Sequence, residues 1–257
     1  MEFTAIASGS RGNCIFIKAG NTTLLVDSGI SALRVARAMA SFGEDVRAVQ
    51  GILVTHEHHD HISGIHMLVK KYGLPVYAAP TLWQKLPFAE AIPAALRRNY
   101  SQKMQVGEIT VHFCKTSHDA HLPVAMVFSH AEKRVGVVTD TGMVTRSMLQ
   151  CFRNLDGLIL EANHNEQMLQ HGPYPAYLKR RVASSQGHLS NSQAAGFLAQ
   201  LMAAKSFPVM LAHLSEVNNT PETARREVLA GLEHAGITRE FALHVGSPCT
   251  PHPLIAI

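Results

Sequence analysis

Residues 51–64, GILVTHEHHDHISG, run from an apolar segment straight into His56, His58, His59, Asp60 and His61, and end at Gly64. The ILVT segment has the pattern of a buried strand, so His56 opens the loop at its end, where α/β folds commonly place their sites. In an extended loop, residues two apart project to the same side. His56 and His58 can therefore grip one cation while Asp60 and His61 turn toward another. A run of surface histidines needs no such context; the position between an apolar strand and a glycine favours ligation.

The rest of the chain alternates in the same way. Short β-rich runs (FTAIAS, CIFIKA, TTLLVD) precede the helical pattern SALRVARAMASF, and ITVHFCK, VAMVFSH, RVGVVTD and LDGLILE follow the histidine loop. A helix over Asn191–Ala204, the strand FPVMLAH and the helix PETARREVLAGLEHAG complete an α/β order. No linker or charge block divides it, so one domain over residues 1–257 is expected, with a core that 46% hydrophobic content can fill. LLVDSG at 24–29 and GVVTDTG at 136–142 echo each other as apolar strands ending in Asp, a hydroxyl residue and Gly, which suggests paired β/α layers.

Composition limits the setting. No apolar run reaches the ~20 residues of a membrane span, and MEFTAIASGSRGN lacks the basic head and apolar stretch of a signal peptide, so a cytoplasmic protein with no membrane partner is expected. Cys14, Cys114, Cys151 and Cys249 form no CxxC pair and read as isolated thiols in a reducing compartment. A metal here must then use nitrogen and oxygen ligands. The net charge of +4 is compatible with an anionic substrate without requiring one. Nothing in the sequence sets an oligomeric state.

THEHHDH resembles the HxHxDH motif of the metallo-β-lactamase superfamily, and the likeness extends over nearly the whole chain. The resemblance implies a four-layer αββα sandwich carrying a dinuclear metal centre. Its remaining positions fall on Asp27 in LLVDSG, His118 in TSHDA, Asp140 in TDTG and His213 in LAHLS. By that likeness His56, His58 and His118 hold one ion, Asp60, His61 and His213 the other, Asp140 bridges, and Asp27 orients the histidine loop. A finer resemblance, to the YycJ (WalJ) branch, rests on ASGSRGNC, LLVDSGIS, EANHN, GHLSN and HLSEVNN. It implies an exonuclease-like enzyme acting on DNA ends and no inserted β-CASP domain. The stretch between Asp140 and His213 is too short to hold a further domain of typical size.

Two cations about 3.5–4 Å apart lower the pKa of a bridging water, hold the resulting hydroxide and stabilise charge on a phosphoryl or carbonyl oxygen. The expected function is thus a phosphodiesterase or nuclease on DNA or RNA using metal-bound hydroxide. Small-molecule hydrolases of the same superfamily, acting on a thioester, lactone or cyclic nucleotide, would share every ligand, and a metal-bound scaffold without turnover is a third reading. Imidazole and carboxylate suit Zn²⁺, Mn²⁺ or Fe²⁺ alike.

Asp60, His188 and His164 are the candidate catalytic residues. His188 in GHLSN precedes a helix that Ser190 or Asn191 can cap; it reads either as a general acid for the leaving oxygen or as a loop histidine bonded to backbone. His164 in EANHN ends a strand and reads as a substrate contact or as a support behind the ligands. Ser10, Arg11 and Asn13 in SGSRGN are candidate phosphate contacts, although such a stretch is often only a hairpin turn. Arg97–Arg98 and Lys179–Arg181 can track a phosphate backbone or form solvated helix faces. With 6% aromatic residues, the composition gives little sign of an extended base-stacking platform. His121 is a candidate for the rim of the site; His59, His66, His130, His171, His234, His244 and His252 read as structural or exposed.

Overall fold

The apolar runs of the sequence pair into two seven-stranded sheets. The computed structural model describes residues 1–257. The first sheet holds β1 (Glu2–Ala7), β2 (Cys14–Ala19), β3 (Thr22–Val26), β4 (Val49–Leu53), β5 (Val76–Ala78) and β6 (Arg97–Asn99), with β14 (Ile255–Ala256) beside β1. The second runs in order from β7 (Lys103–Val106) through β8 (Ile109–Lys115), β9 (Val124–His130), β10 (Lys133–Val138), β11 (Gly157–Glu161) and β12 (Val209–Ala212) to β13 (Leu243–Val245).

Both faces of each sheet are covered, which is why the central strands read as continuous apolar runs. In β3, Leu24 and Val26 enter the core between the sheets while Leu25 packs under the outer helices. Those helices are α1 (Ala32–Ser41), capped by Ser31, and α3 (Ile65–Tyr72), preceded by the short α2 (His59–Ile62). The second sheet is covered by α4 (Arg146–Cys151), α7 (Asn191–Leu201) and α8 (Pro221–His234), with Phe152, Phe197 and Val228 in that layer's core. Between them α5 (Glu166–His171) and α6 (Ala176–Val182) lead toward the site. The result is the four-layer αββα sandwich. No helix is long and apolar enough to cross a membrane.

The internal echo has a structural counterpart. Asp27 and Asp140 follow β3 and β10, the strands at which each sheet changes from antiparallel to parallel pairing. Three departures from the sequence reading have physical reasons. The helix expected to Ala204 stops at Leu201, and the Arg239 guanidinium gathers the carbonyls of Met202, Ala203 and Ala204. Arg97 and Arg98 lie in the edge strand β6 rather than on a helix face, where charge discourages further strand pairing. Cys114 and Cys151, far apart in sequence, are not isolated: their thiols meet where α4 crosses β8.

Candidate active site

The histidine loop is fixed from below by backbone. The Asn13 N–H donates to the Asp60 carbonyl, the Ser28 N–H to the His61 carbonyl, and the Gly64 N–H to the Ser28 carbonyl, each at 2.8 Å. The approach is close enough that side chains are excluded: a Cβ on Gly29 would lie 1.6 Å from the Asp60 carbonyl oxygen, and one on Gly64 1.8 Å from that of Ile30. The stretches ASGSRGNC and LLVDSGIS thus form the bed of the loop. Asp27, in the left-handed region at φ 58°, accepts from the Thr55 N–H at 2.8 Å, the Thr55 hydroxyl at 2.7 Å and His61 Nδ1 at 2.7 Å. The Nδ1 proton is therefore committed to Asp27, and His61 turns Nε2 to the site as the nitrogen that can ligate.

The same reasoning fixes His118. A carbonyl only accepts, so its Nδ1 donates to Gly187 O at 2.9 Å and its Nε2 lone pair faces His58 Nδ1 at 3.2 Å. His56 turns Nδ1 to Thr55 Oγ1 at 2.9 Å, and its buried Nε2 meets no hydrogen-bond partner. Orphaned buried polar atoms are rare and call for a missing partner. The ligand atoms of His56, His58 and His118 all lie within 4.8 Å of one another, as do those of Asp60, His61 and His213. Asp140 lies among these groups, with Oδ2 3.1 Å from His61 Nε2, and Oδ1 3.3 Å from His213 Nδ1 and 3.7 Å from His118 Nε2. This all-nitrogen-and-oxygen set fits divalent cations.

Charge points the same way. Burial disfavours charge on His61 and His213, yet Asp140 and the carboxylates of Asp27, Asp60 and Glu161 outweigh it, holding His61 well above the ordinary histidine range and His213 at about 10. Burial opposes charge on Asp140 as well, but His213 and His61 hold its carboxyl well below the usual range. Without metal, protons on these imidazoles balance the buried carboxylates; cations would take their place.

Sequence reasoning missed Glu161. It closes β11 on the face that Ile159 turns to the inter-sheet core, and it is fully buried. Its Oε1 accepts from His188 Nδ1 at 2.6 Å and lies 3.0 Å from His213 Nδ1, while Oε2 accepts from the N–H groups of Thr141 and Leu189. A carboxylate ending a wholly apolar strand was the available signal.

A polar cavity of about 290 Å³ opens above these groups, with His58, Asp60, His118, Asp140, His188 and His213 in its wall and no apolar residue. His59, read from sequence as structural or exposed, is exposed yet lines the mouth, as do Ser10 and Arg181; Asp119 accepts from Arg181 Nε at 2.5 Å. Other candidates sit elsewhere. Asn13 is buried beneath the site, its amide 3.2 Å from Asp60 Oδ2 and 3.1 Å from His61 Nε2, and so supports ligands rather than meeting a phosphate. Arg11 makes a two-point ion pair with Glu216. His164 is 2% exposed and outside this cavity's wall, bridging by backbone to Ser190, and its buried Nδ1 meets no hydrogen-bond partner. His121 reaches Thr81 at 3.0 Å and receives Glu57 on its backbone N–H, just outside the rim.

Residues 22–209 match the β-lactamase superfamily domain. The exodeoxyribonuclease YycJ of Bacillus anthracis is 35% identical over 98% of this chain and 97% of its own. The exodeoxyribonuclease WalJ of Streptococcus pneumoniae is 33% identical over 100% and 98%. Among solved structures, the metallo-β-lactamase fold protein YhfI from Bacillus subtilis superposes with a TM-score of 0.73 at 19% identity over 98% of each chain. Zn²⁺-bound PqqB from Methylobacterium extorquens superposes at 0.68 and 14% over the whole of both chains. At these identities the structural likeness concerns the fold alone. Motif, fold and near-full-length similarity agree, and the chain belongs to the metallo-β-lactamase superfamily, on its YycJ/WalJ branch.

Proposed function

We propose that this chain is a metal-dependent exonuclease that hydrolyses phosphodiester bonds of DNA at a centre of two divalent ions, with residues 1–257 as one catalytic domain. The observation that carries the reading is the pair of largely buried ligand groups around Asp140, beside a histidine held by a buried glutamate. His56, His58 and His118 would hold one ion, Asp60, His61 and His213 the other, with Asp140 between them; zinc, manganese and iron all suit this donor set. When bound, such ions acidify water and neutralise charge developing on a phosphoryl oxygen. The names of the curated relatives support DNA as the substrate. The free thiols fit a reducing compartment, and we place the reaction in the cytoplasm.

The chain's own groups do the rest. Glu161 takes the His188 Nδ1 hydrogen bond and sets the ring, leaving Nε2 on the cavity side to hold a proton for the leaving oxygen. Arg181, steadied by Asp119, presents positive charge at the mouth, where a phosphate can be oriented.

Elemental analysis of the purified protein, paired with turnover of 5′-ended DNA, RNA, bis(p-nitrophenyl) phosphate, a cyclic nucleotide and a thioester, tests the reading. Two metals per chain and DNA hydrolysis are expected, and Asp140→Ala should lose activity together with metal. Full dinuclear occupancy in that variant sinks the ligand assignment. Thioester turnover far above any phosphodiester turnover sinks the nuclease reading.

A further inference from the structure

A second, larger groove of about 960 Å³ lies at the same strand ends as the metal-ligand cavity. Its wall is built from the ends of β5 and β6, from β7 and β8, and from α4. The volume is at the upper end of the roughly 300–1,000 Å³ typical of ligand sites. No aspartate or glutamate lines it, whereas Lys103, Lys115 and His112 do. Both lysines are exposed, and the chain's lysine ion pairs all engage other residues, Lys18, Lys133 and Lys205. By contrast, Arg11 and Arg181 near the metal-ligand cavity are already paired with Glu216 and Asp119.

Apolar surface sits among these cations. Phe113 is backed by Tyr100 at 4.0 Å and 9°, and the Tyr100 hydroxyl donates to Val54 O at 2.8 Å, just ahead of His56. Leu122 is 43% exposed with φ 50°, an unfavourable backbone for a leucine, held where it faces the groove. One loop joins the two cavities: residues 116–123 carry His118 on the metal side and Leu122 and Pro123 on the groove side. Glu57 fastens that loop by accepting the His121 N–H at 2.9 Å.

We propose that this groove seats the single-stranded segment of DNA leading to the metal centre, with Lys103 and Lys115 on phosphates and Phe113 and Leu122 against bases. The assignment rests on the nuclease reading and extends it to a binding site that the ligand motif does not contain. Cationic, acid-free walls with rigid apolar contacts are what an unpaired strand requires: counterion release at phosphates and stacking at bases. The groove also carries its own reporter. Cys114 and Cys151 line it, and Cys151, the more open of the two free thiols, can be reached by an alkylating reagent.

The test uses the metal-loaded protein and a phosphorothioate oligo(dT), which resists cleavage. Binding followed by fluorescence polarisation should weaken with salt. Lys103→Gln/Lys115→Gln should lower the slope of log K against log salt by about 1.4, at roughly 0.7 per single-strand phosphate contact, while Lys70→Gln/Lys71→Gln on α3 leaves it unchanged. Bound oligonucleotide should slow alkylation of Cys151 in the unmutated protein and leave the exposed Cys249 untouched. Unchanged salt slopes in the groove variant, or Cys151 labelling indifferent to bound oligonucleotide, overturns the proposal. The two readings separate cleanly. A wild type that cleaves ordinary DNA while both groove signatures are absent loses the groove and keeps the nuclease; one that shows both signatures but hydrolyses no DNA loses the nuclease and keeps the groove.

Discussion

A carboxylate with no exposure to water, such as Glu161, must be neutralised by donors, and it has four: two imidazoles and two backbone N–H groups. Burial pushes its pKa up, but the His188 pairing and hydrogen bond prevail and hold it below the ordinary glutamate range. Glu161 therefore positions both His188 and His213. Glu161→Gln keeps the shape and removes the charge, and partners of this kind typically contribute 10–100-fold in metal affinity or activity. Wild-type metal content together with a wild-type rate on DNA would show that Glu161 is only a structural anchor. For His188 the prediction is sharper. A general acid contributes about 10²–10⁴-fold, so His188→Ala should slow DNA cleavage by that factor. A p-nitrophenolate leaving group needs little protonation, and bis(p-nitrophenyl) phosphate should suffer far less. An equal loss on both substrates, in a variant with normal metal content, removes the general-acid role.

The close packing of the histidine loop is a property of elements rather than of ligands. Gly29 lies between β3 and α1, and any side chain there strikes the Asp60 carbonyl. Gly29→Ala should therefore displace α2 and cost about 1–3 kcal/mol, the range for overpacking a filled site. Thermal melting and metal titration should fall together; a variant with unchanged melting and metal affinity would mean that the bed under the loop yields freely. This dependence explains what was legible in the sequence. The loop follows a strand whose apolar pattern is local, and Asp27 and Asp140 repeat one strand-end pattern, so ligands at strand ends could be found from short stretches. Three-residue strands such as β5, β6 and β13 contain less than two periods of alternation and leave no such trace. The contact of Cys114 with Cys151 and the burial of Glu161 arise only when β8 meets α4 and β11 meets β12, and nothing local announces either.

At the scale of the whole molecule, the sandwich brings the ends of two sheets together, and with them Asp27, Asp60, Asp140 and Glu161 around six imidazoles. That concentration of buried acid couples proton, metal and fold. His213 in the metal-free protein has a pKa of about 10, against ~6.5 for an unfolded histidine. The native state thus keeps a proton that the unfolded chain releases. Its stabilising contribution is complete below about pH 6.5 and disappears as pH rises toward 10, and His61 acts in the same direction. The depressed carboxyl of Asp140 works at the other end: its contribution is present above about pH 4 and is lost as pH falls through its lower native value. Metal-free protein should therefore melt at progressively lower temperature from about pH 6.5 to 10. Metal loading must expel the protons that occupy His213 and His61, so affinity should rise over the same interval. Calorimetric titration at pH 7 should show proton release as a heat that varies with buffer ionisation enthalpy, and the loaded protein should lose the alkaline decline in melting temperature. A metal-free melting temperature that stays flat to pH 10, or loading without proton release, would mean that the imidazoles stand neutral before the ions arrive and that the buried carboxylates are balanced in another way.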